Sequence, residues 1–392
     1  MGSTVLRLKG YSNRLHHEWS MWRQRRWHYD SLRRFDTWLR ELHSQPPDVF
    51  MGPDLPYGGV RGHMRAIKRY SSLDITLVPD EQAMGALDRF TGECRERFMG
   101  FNPAGRPVVH SHVIPWYINW CREQQKRGLP WIHTYHLHYF PEHGQNGILR
   151  PDQIEINHSL LHEARHADIR LSVAKWQCDW LRSEHGIESQ YLPNGVDVDA
   201  CDRGQGKHFR NRHHLNEPFL LWVGRNDPVK NPTDFVRLAE TLPKIRFVMI
   251  GSGLTARSLH EDSGVSVPPN LTLAGPATHA EVQDALAAAS VLVVTSKREG
   301  LPTLVLEGMA HQKPVVVPDE PGCLEAVGDG AFGLVYRQGQ IADLAEKTLS
   351  AIASTRNLPE SRKRVLSEYD WRAVAPRLDI IYRQALNHTS PS

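Results

Sequence analysis

Residues 291–317 read VLVVTSKREGLPTLVLEGMAHQKPVVV. The stretch opens on one short apolar run, Val291–Val294, and closes on another, Pro314–Val317. Both are β-branched and show no polar alternation, the pattern of strands buried on both faces of a parallel sheet. Between them, Leu304–Ala310 reads as a helix. Strand, loop, helix and strand in this order make one βαβ unit. The stretch therefore predicts an α/β fold.

Outward from it the same alternation continues. In the second half, strands are expected at Phe219–Val223, Arg246–Ile250 and Leu271–Ala274. In the first half they are expected at Val49–Met51, Asp74–Val78, Pro107–His110, Trp131–Thr134, Ile169–Val173 and Ser189–Leu192, with helical segments such as Val60–Tyr70 between them. Alternation of this kind predicts parallel sheets covered by helices on both faces. A polar stretch rich in His and Arg, residues 199–217, separates the two series and reads as a linker. The expected organisation is a Rossmann-like domain at 46–198, a second at 218–370, a cleft between them, and a closing helix within 371–392. In that last segment Val374, Leu378, Ile381 and Leu386 recur at helical spacing.

Residues 1–45 precede the first expected strand and read as a basic, Trp-rich helical extension. Between 7 and 40 lie Arg7, Lys9, Arg14, Arg23, Arg25, Arg26, Arg33, Arg34 and Arg40 against Glu18, Asp30 and Asp36, together with Trp19, Trp22, Trp27 and Trp38. One reading is contact with a membrane surface or a polyanion. The preferred one packs the tryptophans on the body and leaves the arginines in water.

Composition narrows the function classes. With 392 residues, 40% hydrophobic and 23% charged, the chain is long enough for two domains and is neither disordered nor collagen-like. Its 47 Lys plus Arg against 44 Asp plus Glu give a net charge of +3, so no nucleic acid partner is expected. Five cysteines, at 94, 121, 178, 201 and 323, form no CxxC pair, which argues against a disulfide scaffold or a zinc ribbon. With no apolar window near the ~18 residues of a membrane span and no secretory apolar region at the start, a cytoplasmic location is expected.

Candidate chemistry gathers at two loops. Glu299 follows the strand ending at Val294, at the carboxyl end where α/β folds place ligands. Glu307 lies one to two turns along the next helix and is placed to reach the same ligand. The first turn of that helix offers free backbone N–H groups to hydroxyl or anionic groups. In the second loop, Gly224-Arg225 ends the strand Phe219–Val223 and Lys230 follows five residues later. A guanidinium fork and a point charge together suit a diphosphate. Gly251-Ser252-Gly253 is a short glycine turn after the strand Arg246–Ile250.

The set Gly58-Gly59, Pro193-Asn194-Gly195-Val196-Asp197, Gly224-Arg225 with Lys230, Gly251-Ser252-Gly253, and Glu299 with Glu307 resembles retaining glycosyltransferase family 4, whose fold is GT-B. The resemblance covers about 48–386 and is densest from Tyr191 to Val317. It implies a carboxyl-terminal domain that binds a nucleotide diphosphate sugar as co-substrate, an amino-terminal domain that binds a small-molecule or glycan acceptor, and a last helix that crosses back to the first domain. Under it Arg225 and Lys230 hold the donor diphosphate, with Gly224 and Gly251 in the donor site. Glu299 contacts the sugar hydroxyls with backbone help from Gly300, Leu301, Pro302 and Thr303, and Glu307 holds the ribose. Gly58 and Gly59 let the amino-terminal loop approach the donor phosphate. In His133-Thr134-Tyr135-His136-Leu137-His138, His136 is the match to the histidine near the donor sugar and His133 the runner-up. His112, in His110-Ser111-His112, borders the acceptor pocket.

No metal is expected. No cysteine or carboxylate falls at ligand spacing with these histidines, and Asp197-Val198-Asp199 fits an interdomain turn better than a metal motif. The chain departs from the family at Gly308, where Ala is usual, at Gln312-Lys313 before Pro314, and in the extension 1–45. Two alternatives share the fold: a nucleotide-sugar epimerase and a catalytically silent scaffold.

Overall fold

Most of the apolar runs become strands in a computed structural model that describes residues 29–55, 58–78, 92–144, 147–353 and 358–387. In the first half, β1 (Val49–Gly52), β2 (Ile75–Leu77), β3 (Val108–Ser111), β4 (Trp131–Tyr135), β5 (Ile169–Ser172) and β6 (Gln190–Tyr191) form a sheet of order β2-β1-β3-β4-β5-β6. In the second, β7 (Phe219–Val223), β8 (Arg246–Ile250), β9 (Leu271–Leu273), β10 (Val291–Val293), β11 (Val315–Pro318) and β12 (Leu334–Tyr336) run β12-β11-β10-β7-β8-β9. All pairings within both sheets are parallel. The strand Leu334–Tyr336 was not expected, because three residues after the glycine-rich stretch 328–333 carry too little pattern. Pairing with β11 at a sheet edge makes it a strand.

Strand order reverses direction twice, between β1 and β3 and between β7 and β10. Those are the points at which a crevice opens beyond the strand ends, since neighbouring connections leave for opposite faces of the sheet. The loops after β1, β3, β7 and β10 therefore meet in one place.

Each sheet is buried on both faces. One face of the second sheet packs Leu221, Leu292 and Val315 with Leu306 and Met309, and the other packs Leu220, Val291 and Val316 with Phe235 and Leu344. The expected linker is not an open connection. Its residues fold into helices Val198–Asp202 and Gly206–Arg212, and Cys201, Phe209 and Leu215 are buried with the second domain. Their spacing places these few apolar residues on one side, while the polar majority of the stretch faces outward.

The last helix, Trp371–Asn387, starts in the second half, where the backbone of Val196 bonds to Tyr369 and Trp371 at 2.7 and 3.1 Å. It then buries Val374, Leu378 and Tyr382 against the first sheet with Met64 and Ile67. The Asp379 carboxylate takes hydrogen bonds from the Ser71 hydroxyl and the Ser72 amide and hydroxyl at 2.6–2.9 Å, pinning the crossing. No helix among the described residues is long and apolar enough to cross a membrane.

Of the amino-terminal extension, residues 29–44 are helical, while 1–28, with Trp19, Trp22 and Trp27, lie outside the described residues. Leu32, Phe35, Trp38 and Leu42 occupy one stripe and are buried with Phe50, Phe98 and Trp120 of the first domain. The packing reading thus holds for this part. Phe35 is fully buried, so Phe35→Ala is expected to cost about 3–5 kcal/mol in urea unfolding. A loss under ~1 kcal/mol would mean that the helix is not part of the folded body.

Candidate functional site

The four loops enclose a cleft of about 1560 Å³ between the two domains. Arg225, Lys230 and Glu299, with Gly300, Leu301, Pro302 and Thr303, line its carboxyl-terminal wall. Gly58, Gly59 and His136 line the other.

Lys230 is placed by a rigid loop. The Asp227 carbonyl accepts the Lys230 and Asn231 amides at 3.0 and 3.1 Å, and its Oδ1 accepts the Val229 amide at 3.0 Å. The Thr295 hydroxyl lies 3.0 and 2.7 Å from the carbonyls of Lys230 and Asn231 and accepts Trp222 Nε1 at 2.8 Å. The β7 and β10 loops are thereby locked together. Lys230 Nζ then reaches Glu299 Oε1 at 2.5 Å. Arg225, more exposed, donates to Asp227 Oδ2 at 3.1 Å. Both cations thus face the cleft with a carboxylate beside them, an arrangement that orients them without a buried unpaired charge.

The loop Arg298–Pro302 is held from across the cleft. Trp176 Nε1 donates to the Gly300 carbonyl at 2.7 Å, and Asn194 Nδ2 to that of Leu301 at 3.0 Å. Arg298 pairs with Glu142 at 3.1 Å and stacks on the Phe140 ring, its guanidinium carbon 4.7 Å from the centroid. Glu325 accepts the Lys175 and Trp176 amides at 2.9 and 3.1 Å, capping a first-domain helix from the second domain. At Gly300 an added Cβ would come within 2.3 Å of the His136 carbonyl oxygen, so only glycine fits. Gly58, with φ +99°, needs its conformation rather than the space. Below Glu299, burial raises the Glu320 carboxyl to about 7, with the Glu299 charge adding to the effect.

Other expected residues sit elsewhere. Gly224 and Gly251 are packed together at the ends of β7 and β8, off the cleft wall, and the Gly224 amide donates to the Ile250 carbonyl at 2.9 Å. Glu307 is also off that wall. Its carboxylate meets His279 Nε2 and Gln283 Nε2, both at 3.1 Å. Hydrogen bonding to Glu307 raises the His279 pKa above its ordinary value, outweighing desolvation. The pair therefore stabilises the fold below the ordinary histidine value, and the contribution is lost as pH rises through the higher folded value. Glu307→Gln is expected to lower the His279 pKa followed by NMR titration; an unchanged value would remove this pairing. Asp197 Oδ1 caps the helix Val198–Asp202 through the Ala200 amide, Oδ2 meets Arg69 at 2.7 Å, and Asp199 meets Arg372 at 3.1 Å, so this acidic pair is structural.

Among the histidines, His136 reaches the cleft wall and His133 and His112 do not. His133 Nδ1 is bonded to Ser111 Oγ at 2.8 Å below the surface, and His112 Nδ1 lies 3.0 Å from His136 Nε2. His110 uses both nitrogens, with Tyr382 Oη at 2.7 Å and Thr134 Oγ1 at 2.8 Å. Burial lowers His63 to about 4 and His110 to about 3, and holds His112, His133 and His136 well below the ordinary value.

Sequence reasoning did not find the cross-cleft contacts of Trp176, Glu142, Arg298 and Glu325. Their partners lie 124–156 residues away, and nothing local marks them. Asn194 carried a signal within Pro-Asn-Gly-Val-Asp.

The comparisons fit this geometry. A sucrose-phosphate synthase from Thermosynechococcus elongatus superposes with a TM-score of 0.68 over 86% of this chain and 98% of its own, at 19% identity. Anabaena HepE, solved with UDP and glucose, gives 0.66 over 86% of this chain and 99% of its own, at 15% identity. The chain has the GT-B fold. Within the GT-B architecture, residues 205–368, which include the loops of Lys230 and Glu299, match the family model described as Glycosyl transferases group 1. A D-inositol 3-phosphate glycosyltransferase of Mycobacterium tuberculosis is 25% identical over 72% of this chain. The match spans 63% of that relative's length.

Proposed function

We propose that the protein is a glycosyltransferase of family 4 type, which moves a hexose from a UDP- or GDP-sugar to a hydroxyl of a small-molecule or glycan acceptor with retention of configuration. The observation that carries this is the meeting of Arg225, Lys230 and Glu299 on one wall of the interdomain cleft, with Gly58 and Gly59 on the other. Departure of a nucleoside diphosphate builds negative charge on the leaving group. Arg225 and Lys230 are fixed cations at hand to balance it, so preorganised electrostatics supplies the main stabilisation of the transition state. Glu299, already bonded to Lys230, is suited to exchange that contact for sugar hydroxyls when a diphosphate takes the lysine. His136 faces the sugar from the acceptor side, and on this reading a leaving-phosphate oxygen assists removal of the acceptor proton on the same face.

Calorimetric titration of UDP, GDP, ADP and dTDP tests this reading. One nucleotide should bind selectively near the micromolar range, and Arg225→Ala should weaken it tenfold or more, about 1.4 kcal/mol. Absence of binding by all four would favour the silent scaffold of the same fold.

A further inference from the structure

Three histidines that the sequence scatters over residues 63, 112 and 136 converge in the amino-terminal wall. His63 comes from the helix Gly59–Tyr70, His112 from the end of β3 and His136 from the end of β4. Each offers a ring nitrogen, and the three lie within 4.8 Å of one another. Nitrogens ~2.0–2.1 Å from a tetrahedral zinc ion stand about 3.4 Å from one another, so the triangle would close around an ion by side-chain adjustment. The triad is buried, with exposures of 7%, 1% and 8%.

We infer that His63, His112 and His136 form a binding site for a divalent transition-metal ion of the zinc class. Its hydrogen bonding argues for this. His110, close by, spends both nitrogens on hydroxyl partners, as a structural core histidine does. In the triad, by contrast, His112 Nε2 is buried with no partner, His63 has Asn194 beside it, and the one internal contact joins His112 Nδ1 to His136 Nε2. A buried imidazole nitrogen left unpaired is unfavourable, and a cation bound to it would offset that cost. Orphan nitrogens alone do not make a site: His133 Nε2 and both nitrogens of His138 lack partners too. Among the described residues, however, only the triad brings three such ligands together. Imidazole nitrogens as ligands favour zinc and its neighbours over magnesium or calcium.

A fourth donor is within the same wall. Asn194 interacts with His63, its Oδ1 is buried, and it lines the cleft together with His136. The ion would thus sit in the amino-terminal wall, apart from Arg225 and Lys230. The site shares His136 with the proposed sugar-facing wall, and its test requires no donor.

The test is Co²⁺ titration of the full-length protein after removal of metal with a chelator. One equivalent should bind with the visible absorption of a four-coordinate cobalt centre, and Zn²⁺ should displace it. His63→Ala and His112→Gln should each lose the band and weaken binding by about 100-fold, with circular dichroism confirming the fold. Because a variant can fail to fold, zinc is also added to the wild type, where it should raise the melting temperature and chelator should reverse the rise. No cobalt band in the wild type, or stoichiometric binding unchanged in both variants, would overturn the proposal.

Discussion

Lys230→Ala is expected to lower turnover with the correct donor by about 100-fold or more, the loss that follows removal of one group stabilising developing charge. Lys230 is held by the Asp227 turn, and its carbonyl is bonded by Thr295, so its ammonium enters the cleft in a fixed direction. Truncation leaves this scaffold intact but strands the Glu299 carboxylate, 12% exposed, without its 2.5 Å partner. Repulsion of the donor phosphates then adds to the lost attraction. Steady-state kinetics should show most of the change in kcat, since the interaction strengthens as the diphosphate leaves. Wild-type turnover in a folded variant would remove Lys230 from the mechanism.

Gly300→Ala should be nearly as damaging for a different reason. The new methyl carbon would lie 2.3 Å from the His136 carbonyl oxygen. That atom belongs to backbone at the end of β4, so relief requires the two walls of the cleft to part by about 1 Å. Misplacement on that scale costs roughly 100-fold in rate. The movement would also lengthen the Trp176 and Asn194 bonds to this loop. Kinetics indistinguishable from the wild type would show that the loop and His136 are not in contact in the reacting state. Lys230→Ala removes charge and keeps geometry, whereas Gly300→Ala keeps the charges and moves them.

The residues that were legible in advance are those whose signal is local. Val291–Val294 and Pro314–Val317 announced strands because a strand buried on both faces must be apolar throughout. Arg225, Lys230 and Glu299 could be placed near one another because each follows such a strand at its carboxyl end. The helix Gly206–Arg212 was hidden for the converse reason: its one deeply buried side chain, Phe209, stands among polar residues. Glu307 was expected on the same ligand as Glu299, and its partners His279 and Gln283 on a neighbouring helix were not foreseen. Spacing along a helix gives a direction but not what the next helix presents there.

The sequence by itself determined the α/β class, the two-domain division, the order of most strands along the chain and the pair of loops that carry the cations. These follow from periodicity and strand-end position, which short-range chemistry writes directly into the residues. Only the tertiary structure decided which histidine reaches the cleft and which three converge, and how Trp176, Glu142, Glu325 and Asn194 hold the second domain's loops. Those facts depend on the strand order β2-β1-β3-β4 and on the closing of one domain against the other. Contacts between residues more than a hundred positions apart leave no period for a sequence to show.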